Sequence, residues 1–148
     1  MKAGLIGCGV IGSYIAMAFD KGVIDGTLTA IYDVDRGKAE KLASTLKRRP
    51  DVAEDFNHLL EGVDFVIEAA SQEAVRHYMV GALEKGRDVL IMSVGALLDD
   101  GVYESVIEAA RQKHARVYVP SGAIGGIDAI TSASIAGIRE VTLTTTKP

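Results

Sequence analysis

Cysteine is nearly absent from the 148-residue chain. Its single thiol, Cys8, excludes an intramolecular disulfide framework and any multi-cysteine metal site. There is no basic excess either. Sixteen Lys and Arg against twenty Asp and Glu leave a net charge of −4, so the electrostatic footprint of a nucleic-acid-binding face is missing. An unbroken apolar run is missing as well. The stretch poorest in charge, 117–138, carries only Asp128 and is long enough for a membrane span. Pro120, Gly122, Gly125, Gly126 and Gly137 interrupt it, so the expectation is a small-residue segment buried against protein, with no membrane partner. No signal peptide fits at the start, because glycines follow residues 3–6 where an apolar h-region would have to continue. Internal repeats and low-complexity tracts are absent. These exclusions leave a globular chain expected in the cytoplasm.

What the chain has in abundance is glycine, 16 of 148 residues, against about 7% in average proteins. Short apolar runs alternate with helical patterns. The runs predict strands at 2–6, 27–32, 63–67, 88–92 and 115–119. The patterns between them predict helices near 11–20, 36–48, 72–85 and 102–113. In the third helix Ala74, Val75, Tyr78, Met79 and Ala82 recur at steps of three and four, the mark of one apolar face. A weak short strand is expected near 51–53, with a brief helix around 55–60. Continuously apolar strands joined through helices imply parallel strands buried on both faces, hence a doubly wound α/β sheet. The threonine-rich stretch 139–146 has high β propensity. It is read as a strand that starts something further, which divides the chain into 1–138 and 139–148.

Gly7-Cys8-Gly9-Val10-Ile11-Gly12 is a G-x-G-x-x-G that follows the first strand and opens the first helix. Asp33 closes the second strand 21 residues after Gly12. Together these make the Rossmann-type dinucleotide fingerprint. Gly7 permits the tight turn, Gly9 admits the pyrophosphate to the backbone, and Gly12 lets helix and strand pack closely. Val10 and Ile11 head the helix whose free N–H groups face the phosphates. Asp33 would accept hydrogen bonds from the adenosine ribose. A carboxylate there opposes a 2′-phosphate, so NAD is preferred over NADP. Arg36 stands where it could offset this by holding that phosphate, or it could simply face water. Cys8 is either a thiol activated at a helix N-terminus or a small side chain at a variable position of the fingerprint.

Ligands in such sheets bind beyond the carboxyl ends of the strands. Three small-residue loops lie there: 68–72 with Ala69, Ala70 and Ser71, 93–96 with Gly95, and 120–128 with Ala123. The first would flank the nicotinamide ribose, and the others would lie beneath the ring. Gly125 and Gly126 open an apolar helix over 126–137, whose N–H groups could bind an anionic substrate group.

The fingerprint, EAASQEAV at 68–75, SVGAL at 93–97 and above all PSGAIGGIDAI at 120–130 resemble the L-aspartate dehydrogenase family. The resemblance spans essentially the whole chain. It implies oxidation of L-aspartate with NAD(P)⁺ to iminoaspartate or oxaloacetate, a supply line for NAD biosynthesis, and a second, α+β domain, begun by the strand at 139–146, that completes the substrate pocket and the dimer. It also implies a catalytic histidine beyond residue 148, so the chain alone is expected to be inactive. The three histidines present are read as packing or surface residues, with His77 and His114 away from the carboxyl edge. Two other functions remain open. One is another two-domain oxidoreductase, homoserine-dehydrogenase-like or dihydrodipicolinate-reductase-like. The other is a non-catalytic dinucleotide-binding module.

Overall fold

A computed structural model of the chain describes residues 1–121, Ile130, Ser134, Ile135, 137–142 and Thr144. Its centre is one six-stranded parallel sheet in the order β3-β2-β1-β4-β5-β6, the doubly wound order in which the chain reverses direction between β1 and β4. The strands are β1 (Lys2–Ile6), β2 (Thr27–Tyr32), β3 (Asp51–Val52), β4 (Phe65–Glu68), β5 (Asp88–Ile91) and β6 (Val117–Tyr118). The helices are α1 (Val10–Asp20), α2 (Arg36–Thr45), α3 (Phe56–Leu59), α4 (Gln72–Ala74), α5 (Val80–Glu84) and α6 (Asp100–Lys113).

Alternation along the central strand divides the core in two. Ala3 and Leu5 of β1 join Ala16 and Phe19 of α1 and Ala39, Leu42 and Ala43 of α2. On the opposite face Ile6 and Val66 pack with Leu59, Val75, Met79, Leu83 and Val106 from α3 to α6. Leu5 is fully buried, and truncating such a leucine to alanine typically costs about 2–5 kcal/mol.

Local chemistry sets the boundaries. Asp35, Asp55 and Asp99 cap α2, α3 and α6, each accepting from a backbone N–H in the first turn. α2 ends at Thr45, short of the expected 48. The hydroxyls of Ser44 and Thr45 donate to the carbonyls of Lys41 and Leu42, both at 2.7 Å, competing with continuation of the helix. β4 starts two residues later than expected, because Asp64 turns its side chain back to accept from the Lys2 N–H.

The expected helix over 72–85 is interrupted. Between α4 and α5, Val75–Met79 forms one π-helical turn, although the apolar spacing reads as an unbroken helix.

The segment 139–146 is not a strand where it is described. Residues 139–142 and Thr144 carry no ladder pairing, since β propensity forms a strand only against a neighbour that accepts its hydrogen bonds. Most of the expected helix 126–137 lies outside the described residues. Among those described, no helix is long and apolar enough to cross a membrane.

Candidate cofactor-binding site

The sheet order brings two loops together where β1 and β4 end side by side. Gly7 leaves β1 at φ +95°, in the left-handed region that favours glycine, and donates its N–H to the Tyr32 carbonyl at 2.8 Å. A Cβ on Gly7 would stand 2.6 Å from the Ala69 carbonyl oxygen and 2.8 Å from the Ala70 Cβ. The fingerprint loop therefore lies directly on the loop after β4. A Cβ on Gly12 would collide with the Gly7 carbonyl oxygen. Gly9 differs from both, because nothing lies within 4 Å of the position its Cβ would take. Two glycines are forced by close packing, and the third borders open space. That space faces the first turn of α1, where Val10, Ile11 and Gly12 carry N–H groups with no partner inside the helix. A pyrophosphate fits this cradle.

Asp33 sits half-buried at the end of β2 and ties the cradle to it. Its Oδ2 accepts from the Cys8 N–H at 2.8 Å, and its Oδ1 accepts from the Asp35 N–H at 2.9 Å. Each oxygen retains capacity for a second donor. Arg36 is turned along α2 toward Glu40, with Nε 2.9 Å from Oε1. A cleft of about 320 Å³ opens next to Asp33, lined by Ile6, Gly7, Val34, Ala70, Ala74, His77 and Tyr78 among others.

His77 thus corrects an expectation. It lines the carboxyl-edge cleft instead of lying away from it, with Nδ1 3.0 Å from the Glu73 carbonyl oxygen. The rotational phase of the helix over the sheet brings it there, and the π turn belongs to the same segment. Tyr78, also on this turn, meets Tyr32 edge-on at 5.8 Å and Phe56 at 4.9 Å between ring centroids. The Tyr32 hydroxyl, 3.4 Å away, holds the Tyr78 hydroxyl up to about 12. The other histidines stand elsewhere. His58 pairs with Asp51 at 2.8 Å, and His114 ends α6 in the left-handed conformation at φ 53°.

Ser71 caps α4, its Oγ accepting from the Ala74 N–H at 3.2 Å. Gly95 lies in a 3₁₀ turn, Val94–Leu98, where a Cβ would stand 2.6 Å from the Gln72 Nε2. The β4 and β5 loops are therefore in contact. Ala123, Gly125 and Gly126 lie outside the described residues. Glu68, missed as a site residue by sequence reasoning, is fully buried at the end of β4. Among the described residues no cluster of His, Cys, Asp or Glu could hold a metal ion.

Cys8 is buried, and that burial, seconded by the neighbouring Asp33 charge, pushes its thiol up to about 12. A thiol held there should stay protonated at ordinary pH, and the thiolate is the nucleophile. Alkylation at pH 8 should be far slower in the folded chain than in denaturant, and equal rates would contradict this. The linkage has a definite sign. The unfolded thiol ionises near its ordinary 9.0, so its contribution to stability is complete below pH 9 and is lost progressively as pH rises toward 12.

Comparison with known proteins agrees with this geometry. All 148 residues align at 50% identity with a Methanosarcina barkeri protein named L-aspartate dehydrogenase, covering 55% of that protein. The chain spans about half the length of the curated relatives it matches. The crystal structure of aspartate dehydrogenase from Thermotoga maritima superposes with a TM-score of 0.65 at 29% identity, over 91% of this chain and 52% of that one. A UDP-N-acetylglucosamine 3-dehydrogenase from Acidithiobacillus ferrooxidans shares the fold at a TM-score of 0.73 and 23% identity, over 93% of this chain and 42% of that one. Residues 7–120 match the family model described as "Homoserine dehydrogenase, NAD binding domain". With the cradle, the sheet order and this match in agreement, the chain belongs to that family of NAD-binding domains.

Proposed function

We propose that the chain is the cofactor-binding part of an NAD(P)-dependent L-aspartate dehydrogenase. The observation that carries the cofactor half is the cradle, with Gly7 and Gly12 locked by packing and Gly9 open beneath the N-terminus of α1. The names of the relatives carry the substrate half, and they favour L-aspartate over L-homoserine.

Gly9, Val10, Ile11 and Gly12 would receive the pyrophosphate on backbone N–H groups, and Asp33 would accept from the adenosine ribose hydroxyls. Ala69, Ala70 and Ser71, with Gly95 and Ala123, would border the nicotinamide half, and Gly125 and Gly126 the substrate. When bound, the nicotinamide supplies a hydride acceptor at its C4. Hydride loss from the aspartate Cα and proton loss from its nitrogen leave iminoaspartate, which water hydrolyses to oxaloacetate and ammonia. NAD is the favoured cofactor because the Asp33 carboxylate repels a 2′-phosphate. A cytoplasmic homo-oligomer supplying NAD biosynthesis is part of the same reading.

A general base is needed for the proton. His58, His77 and His114 stand at Asp51, in the cleft beside Val34, and at the end of α6, and none is given that role. The 148-residue chain should therefore bind NADH, seen by fluorescence titration, without appreciable aspartate oxidation. Turnover comparable with an intact relative would place the base inside these residues. Fused to the remaining length of the M. barkeri relative, the chain should oxidise L-aspartate in preference to L-homoserine, and the reverse preference would defeat the substrate assignment.

A further inference from the structure

Among the described residues, Glu68 is the charged side chain that is completely buried. Burying a carboxylate costs several kcal/mol unless donors converge on it, and here three do. Its Oε1 accepts from the Ala70 N–H at 2.7 Å and from the Ser93 hydroxyl at 2.8 Å. Its Oε2 accepts from the Ser93 N–H at 2.9 Å. One side chain thereby joins the loop after β4 to the loop after β5. The link extends further, since Ala70 is the residue against which Gly7 is packed.

The sheet order says what crosses these loops. Reading β2, β1, β4, β5 along the carboxyl edge, Asp33 lies at β2 and the pyrophosphate cradle at β1. A dinucleotide with its adenosine at β2 must lay its other half over β4 and β5. We infer that Glu68 is a positioning residue that fixes the two loops under the nicotinamide half of the cofactor without touching it. This rests on the cofactor reading above.

The chemistry selects a carboxylate. A glutamine offers one acceptor oxygen and two donor hydrogens to a site that presents three donors, so Glu68→Gln must leave at least one loop N–H facing an amide N–H. The loops then separate while the adenosine end keeps Asp33. The test compares NADH with ADP-ribose, which lacks the nicotinamide, by titration of the chain and of Glu68→Gln. Affinity for NADH should fall about tenfold more than affinity for ADP-ribose, the equivalent of one charge-assisted hydrogen bond. The fluorescence change of the bound dihydronicotinamide should diminish with it. Ser93→Ala removes only the hydroxyl bond. It should show the same split at about threefold, and it carries the test if circular dichroism shows Glu68→Gln unfolded. Equal losses for the two ligands, or none for either, would overturn the role of Glu68. A wild-type chain that binds neither ligand would overturn the cofactor reading itself.

Discussion

Gly12→Ala should abolish detectable NADH binding and destabilise the fold by about 2–3 kcal/mol, the upper part of the range for overpacking a close contact. Helix propensity alone argues the other way, because alanine in a helix is favoured over glycine by about 1 kcal/mol. Sterics decide the sign. The new Cβ would occupy the space of the Gly7 carbonyl oxygen, and that carbonyl has no room to yield. Gly7 is held by its N–H bond to Tyr32 and by its approach to Ala69 and Ala70. Helix α1 would have to move off β1, taking the phosphate-facing N–H groups with it. Gly9→Ala supplies the contrast. Its Cβ meets nothing, and its extended backbone, φ −75° and ψ −161°, suits any residue. Denaturant stability should therefore be unchanged while cofactor affinity falls, because the methyl projects into the space proposed for the phosphates. Wild-type NADH affinity in Gly12→Ala, or equal stability losses in the two variants, would contradict the packing argument.

Asp33→Ala should lower NAD affinity by about 10- to 100-fold, from the loss of charge-assisted hydrogen bonds to the ribose. NADP affinity should fall much less, so the preference shifts toward NADP. The ratio is the informative quantity. Asp33 also accepts from the Cys8 N–H, and losing that bond loosens the cradle for both cofactors alike. Asp33→Asn removes the charge and keeps one acceptor, for the Cys8 N–H, at the cost of the bond from the Asp35 N–H. It therefore tests repulsion of the 2′-phosphate with less loss of the loop than Asp33→Ala. The ion pair between Arg36 and Glu40 is exposed and worth at most about 0.5 kcal/mol, which leaves Arg36 free to turn to a phosphate once Asp33 is gone. An NAD/NADP affinity ratio unchanged in both variants would sink the discrimination argument.

The strands, the two-faced core and the Gly7–Gly12 cradle were legible in the sequence because each leaves a local trace. Continuous apolar runs mark buried parallel strands, and glycine spacing marks a backbone that must come close to something. His77 and Glu68 leave no such trace. Where a helix residue points depends on the phase of the helix over the sheet, and the apolar positions Ala74, Val75, Tyr78, Met79 and Ala82 recur as they would in an uninterrupted helix. Glu68 closes an apolar strand, and only the three donors gathered around it, two of them from Ser93, distinguish it from a carboxylate facing water. The threonine-rich stretch 139–146 differs again. It has the composition of a strand, and its described residues pair with nothing.

The central position of β1 also governs the order in which the chain can assemble. β1 precedes the other strands of the sheet, yet one of its two neighbours, β4, lies more than sixty positions along the chain, as the contact from the Lys2 N–H to Asp64 shows with its separation of 62. During synthesis β1 can pair with β2 early, while its other edge stays bare until β4 leaves the ribosome. Closing so long a loop is slow compared with forming the local helices on either side. The crevice between β1 and β4 therefore forms later than the β1–β2 pair and the local helices beside it. A dinucleotide seated there would favour the assembled sheet, because its site needs Ala69 and Ala70 at rest against Gly7.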